Sequence, residues 1–259
     1  VSPGDTLHYE IFFRNVSERD LENLFLIVGL EGKSFDVSTL KTENGKFQKG
    51  DNSIVFEAKD VPKLRVLRQG EEGRVEFWIS LQNVEGKNLV VRDKVLLSDA
   101  RAEFEVKVNS NLLLYQTAYF QDEVFGNSGP LPPAVGNKTT YTVIWKAENS
   151  SNEVKNAKVK AILPQGVELT GRLFPENASL TFDSQSREIV WSAGDLGSVA
   201  FQVAFTPNSS QRGTTPQILG EAVITGDDTW TLQSLSSSDI PLDTTLPDDP
   251  ASQGKGVVQ

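Results

Sequence analysis

Between Val135 and Leu169 the chain reads VGNKTTYTVIWKAENSSNEVKNAKVKAILPQGVEL, and its apolar positions recur with a period of two. Tyr141, Val143 and Trp145 alternate with Thr142, Ile144 and Lys146, which places the first three on one face of a β-strand. The Asn/Ser-rich run that follows has turn composition, and Ala157, Val159 and Ala161 then alternate against Lys158 and Lys160. Pro164 ends this second strand, because it has no N–H to give to a ladder.

The same alternation extends along the chain. Tyr9, Ile11 and Phe13 oppose His8, Glu10 and Phe12, and Val75, Phe77 and Ile79 oppose Glu76, Trp78 and Ser80. Leu24–Leu30 is apolar at every position, which predicts a strand covered on both faces. Val61–Leu67, with Pro62 inside it, reads as a strand-like or irregular link. Further strands are predicted at Lys87–Leu97, Ala102–Val108, Leu112–Phe120, Leu180–Phe182, Ile189–Trp191 and Val199–Phe205. Gln217–Ile224 and Thr229–Leu235 read as a hairpin around Gly226–Asp228. The short polar Asn109–Asn111 marks a boundary, so the expected division is 1–110, 111–243 and a flexible linker or tail at 244–259.

An internal repeat supports that division. Gly4–Tyr9 matches Gly136–Tyr141, with Gly and Tyr in step, and Ile11 and Phe13 match Val143 and Trp145. Ile54–Val55–Phe56 matches Ile189–Val190–Trp191 further on. The first copy has no counterpart of Leu112–Phe120, so its domain is expected to start inside a truncated first strand or after a preceding domain. The fold class is therefore all-β: two tandem Ig-like antiparallel β-sandwiches.

Composition narrows the function classes. A formal net charge of −10 over 259 residues disfavours nucleic acid and anionic membranes as partners. With no cysteine there is no disulfide, thiol nucleophile or thiolate metal site. The absence of methionine, even at position 1, suggests a processed or excised fragment. No apolar run approaches the ~20 residues of a membrane-spanning helix.

Candidate chemistry is sparse. His8 is the single histidine, it sits on a strand, and no G-x-S-x-G elbow accompanies it, so no catalytic triad is predicted. The acidic pairs Asp122–Glu123, Asp227–Asp228 and Asp248–Asp249 offer oxygen ligands, and Asp122, Asp227 and Asp228 are the calcium candidates, although no D-x-D-x-D-G loop is present. No other cofactor is expected. Trp145 is in phase with core positions, whereas Trp78 is out of phase with its apolar neighbours. Trp78 and Trp230 are the candidate contact residues for a protein or glycan ligand.

Several of these residues form a recognisable pattern. Gly136, Tyr141–Val143, Asn149, Asn156, Leu163–Pro164 and Gly166, followed by Ile189–Val190–Trp191 and Gly194–Asp195–Leu196, resemble the tandem Ig-like repeat of bacterial cell-surface proteins catalogued as domain of unknown function eleven. The Asn127–Pro133 bend (NSGPLPP) is most similar to examples from candidate-phylum bacteria. The first domain departs from the pattern: Leu30–Glu31–Gly32 lacks the proline, and W-x-x-G-x-L is missing. The resemblance implies an extracellular or cell-surface location, flanking domains of a larger surface protein, and no catalytic residue. A Lys–Asn crosslink from Lys138 finds no asparagine in the late strands.

The sequence thus points to a non-catalytic structural spacer or stalk. The second reading is an adhesion or ligand-binding module using end loops or an exposed aromatic patch. A third is an accessory domain beside a catalytic domain elsewhere.

Overall fold

A computed structural model describes residues 1–259. Two compact units divide it: Val1–Asn111 with Ser150–Asn152, and Leu112–Asn149 with Glu153–Gln259.

Numbering only the strands of the two sandwiches, the first unit contains β1 (Thr6–Arg14), β2 (Phe25–Glu31), β3 (Phe35–Thr42), β4 (Gly45–Gln48), β5 (Ser53–Glu57), β6 (Glu72–Leu81), β7 (Val90–Leu97) and β8 (Ala100–Lys107). One sheet has the order β1-β6-β3 and the other β8-β7-β2-β5-β4. All pairings are antiparallel. Alternation puts Leu26, Val28 and Leu30 of β2, Ile54 and Phe56 of β5, and Val75, Phe77 and Ile79 of β6 into a common core.

The second unit contains β9 (Leu112–Tyr119), β10 (Thr139–Asn149), β11 (Val154–Ile162), β12 (Val167–Phe174), β13 (Leu180–Asp183), β14 (Glu188–Gly194), β15 (Gly197–Phe205), β16 (Ala222–Asp228) and β17 (Ser234–Asp239). Its sheets are β9-β10-β15-β12 and β13-β14-β11-β16-β17. Substituting β10, β15 and β12 for β1, β6 and β3, and β11, β14, β13, β16 and β17 for β2, β5, β4, β7 and β8, reproduces the wiring of the first unit strand for strand. The one addition is β9, the Leu112–Phe120 segment without a sequence counterpart in the first copy. The repeated Gly-to-Tyr stretch opens β1 and β10, and the repeated Ile-Val-aromatic triplet forms β5 and β14. Trp145, Tyr141, Phe201 and Phe205 are fully buried in the second core.

Three local features differ from the pattern read along the chain. In β2 only the inward side is buried: Phe25 is exposed and Ile27 half-buried, because nothing covers the outer face. Val61–Leu67 contains one helical turn, Pro62–Arg65, with proline at its start and Leu64 buried. Gly226–Asp228 belongs to β16 and is not a hairpin turn. The reversal lies in 229–233, because Oδ1 of Asp228 accepts the Trp230 and Thr231 amides at 2.8 and 3.0 Å.

The segment 244–259, expected as a flexible linker or tail, is instead packed into the second unit. Leu246 and Val258 are buried in its core. Oδ2 of Asp249 accepts the Phe120 and Gln121 amides and the Ser252 hydroxyl, and Oδ1 accepts the Ala251 amide. At the end of the chain, the Gln259 amide donates to Pro133 O, and the Val135 amide donates to Gln259 O. Composition alone misread this stretch, since its Asp, Thr, Ser and Gly serve here as turn and capping residues. No helix is long and apolar enough to cross a membrane.

Candidate functional site

The outward face of β1 and β6 gathers more chemistry than the sequence suggested. The register pairs Thr6 with Ser80, His8 with Trp78, Glu10 with Glu76, and Phe12 with Arg74. All eight side chains lie opposite the inward-facing Tyr9, Ile11, Val75, Phe77 and Ile79. The His8 imidazole stacks on the Trp78 indole, with centroids 4.5 Å apart and planes 6° from parallel. Stacking orients the ring so that Nε2 lies 3.1 Å from Oε2 of Glu76. The Arg74 guanidinium reaches Glu10 at 2.9 Å and Glu76 at 3.7 Å. Phe12, 68% exposed, follows in the row, which ends at the Arg14–Glu72 pair. The ligand atoms of His8, Glu10 and Glu76 all lie within 4.8 Å of one another. Trp78, singled out because it falls out of phase, is half-buried in this row. His8, read as an ordinary strand surface residue, is its centre. Only cross-strand pairing brings residues more than sixty positions apart together, so no local motif announces the cluster.

Beneath this face lies a buried acid. Alternation in β7 turns Val91, Asp93 and Val95 inward, and Asp93 is 1% exposed. Both of its carboxylate oxygens, and the hydroxyl of Tyr9 on the facing sheet, lack a hydrogen-bond partner of proper geometry. Burial pushes the Asp93 carboxyl up to about 6, and the neighbouring Tyr9 hydroxyl tempers the rise. Burial and the Asp93 charge likewise push the Tyr9 phenol up. In the second unit Tyr141, the repeat partner of Tyr9, is also driven up by burial and also has an unpartnered hydroxyl. The buried positions of β16 are Ala222, Ile224, Gly226 and Asp228, and the one acid among them, Asp228, caps the 229–233 turn.

The sequence-predicted acidic candidates are not brought together. Oδ1 of Asp122 accepts the Val124 and Phe125 amides, and Oδ2 accepts from Asn127 and Thr142. Asn127 in turn accepts from Gln202, so this network fastens the Gly/Pro-rich bend over β10 and β15. Asp227 accepts from Asn156 at 2.8 Å and Ser234 at 2.9 Å, and these bonds hold its carboxyl below the usual range. Asp228 is buried and caps the 229–233 turn. Trp230 is half-buried at that turn, with its amide on Asp228. Lys138 faces solvent, 3.8 Å from Glu168.

A surface groove of about 550 Å³ lies between Val124, Phe125, Gly171–Phe174 and Glu176. Its guanidinium, from Arg172, donates to the Phe125 carbonyl. The groove contains no nucleophile paired with a base.

No family model matches the chain, and no curated protein does. Among solved structures, it is similar to the C-terminal domain of AspA, an antigen I/II-family protein of Streptococcus pyogenes, at 10% identity and TM-score 0.36 over 94% of each chain. It is also similar to the major pilin SpaD of Corynebacterium diphtheriae (12% identity, TM-score 0.35, 86% of this chain and 61% of that one). The third is BcpA, the major pilin subunit of Bacillus cereus, in its D312A form (9% identity, TM-score 0.37, 92% of this chain and 69% of that one).

Proposed function

We propose that the chain is a non-catalytic structural spacer of a bacterial cell-surface or secreted protein, flanked there by further domains. The observation that carries this reading is the use of one strand wiring twice in series, each copy around its own closed core. Repetition of a self-contained module adds length without adding a site. The outward face of the β8-β7-β2 strands is laced by cross-strand ion pairs such as Arg92–Glu105 and Lys94–Glu31, both 2.6 Å. Such exposed pairs add little stability but keep that face charged, which opposes self-association. The mechanism is mechanical: antiparallel ladders and packed cores hold the chain folded under load.

Force spectroscopy on the full chain tests this. A spacer should yield two discrete unfolding events, releasing about 400 and about 500 Å of contour at ~3.6 Å per residue. Gradual extension without discrete events would refute a load-bearing role.

The His8–Trp78 stack and the exposed Phe12 favour a second reading, adhesion through the β1–β6 face. A glycan and protein-ligand screen with wild type and Trp78→Ala decides it: binding that is lost in the variant supports adhesion, and an empty screen removes it.

A further inference from the structure

We propose that His8, Glu10 and Glu76 form a binding site for a borderline divalent transition ion, with Zn²⁺ as the reference ligand. Three observations carry this. The three ligand atoms already lie within 4.8 Å of one another. The His8 Nε2 to Glu76 Oε2 separation, 3.1 Å, is close to the ligand–ligand edge of a tetrahedron with metal–ligand bonds of about 2.0–2.2 Å. Finally, the imidazole is held by its stack on Trp78, and the backbones are fixed by an antiparallel ladder of nine residue pairs, so little ordering remains to be done on binding.

One nitrogen and two carboxylates form the ligand class that zinc, copper and nickel accept, whereas calcium needs six to eight oxygens. The ion meets two negative charges and takes over the role now filled by Arg74, whose guanidinium bridges Glu10 and Glu76. Drawing ligand atoms that lie within 4.8 Å of one another onto one ion with bonds near 2 Å requires a side-chain adjustment of about one ångström. Three protein ligands leave at least one coordination position for water or for a group from outside the chain. Acid opposes binding, because imidazole and carboxylates ligate in their unprotonated forms.

The test uses tag-free, full-length protein. Its single histidine gives one unambiguous set of imidazole proton resonances. Titration with ZnCl₂ near neutral pH should shift these resonances saturably at one equivalent, while CaCl₂ should leave them unmoved. Calorimetry should show His8→Ala and Glu76→Gln each weakening zinc at least tenfold, with the protein still folding cooperatively in the absence of metal, since His8 and Glu10 are exposed and Glu76 partly so. Arg74→Ala should tighten binding by removing the competing cation, and His8→Ala, which leaves the carboxylates in place, separates the built site from a non-specific acidic surface. Zinc binding that is absent, non-saturable, indifferent to His8→Ala, or weakened by Arg74→Ala overturns the proposal.

Discussion

Replacing Asp93 by asparagine keeps the shape of the side chain and removes its titration. In the folded protein this carboxyl is raised to about 6 by burial. A raised carboxyl binds its proton more tightly when folded than when unfolded. Its favourable contribution is therefore complete below the unfolded value, near 3.8, and is lost as pH rises through about 6. The gap corresponds to roughly 3 kcal/mol. The amide still carries polar atoms into the core, at a cost of about 1 kcal/mol. Asp93→Asn should therefore be slightly less stable than wild type at pH 4 and about 2 kcal/mol more stable at pH 8. For a unit of this size that gain raises the midpoint by roughly 10 °C. Scanning calorimetry of the full chain at both pH values reads it, and only the transition of the first unit should move. An effect of the same size and sign at pH 4 and pH 8 would refute the assignment of a buried, strained carboxyl at Asp93.

Three further outcomes follow from the second unit. Arg187 sits in the left-handed region (φ +59°) and donates to the carbonyls of Leu163, Pro164 and Val167 at 2.8, 2.8 and 2.6 Å, so it clamps the turn after β11. Arg187→Ala should cost about 2–4 kcal/mol in urea denaturation, and lysine, without the planar fork, should recover less than half. Leu246→Ala should cost about 2–5 kcal/mol, as a core truncation does; a loss below about 0.5 kcal/mol would return 244–259 to the status of a tail. Millimolar calcium against chelator should leave the unfolding midpoints unchanged, because Asp122, Asp227 and Asp228 are engaged by amides, hydroxyls and asparagines. A rise of several degrees would restore them as ligands.

The alternation at Tyr9–Phe13, Arg74–Leu81 and Tyr141–Trp145 determined strand identity and facing, since a period of two survives any context that buries one side. The in-step Gly and Tyr of the two copies determined that the architecture is repeated; Leu112–Phe120, which has no counterpart in the first copy, forms the added strand β9. Turn and tail assignments fared worse. Asp228 looked like a loop acid and is a buried cap, and Asp249 looked like part of a linker and anchors the C-terminal segment. In both cases the deciding bonds go to backbone amides, which carry no sequence signature.

What the sequence determined by itself was therefore local: which residues are strands, which side of each turns inward, and that one unit occurs twice. What only the tertiary structure decided was which outward residues meet. Cross-strand register brings His8 onto Trp78 and beside Glu76, and sheet-on-sheet packing sets Asp93 against Tyr9. Residues far apart along the chain become neighbours through pairing, and periodicity reports a residue's face without reporting its partner.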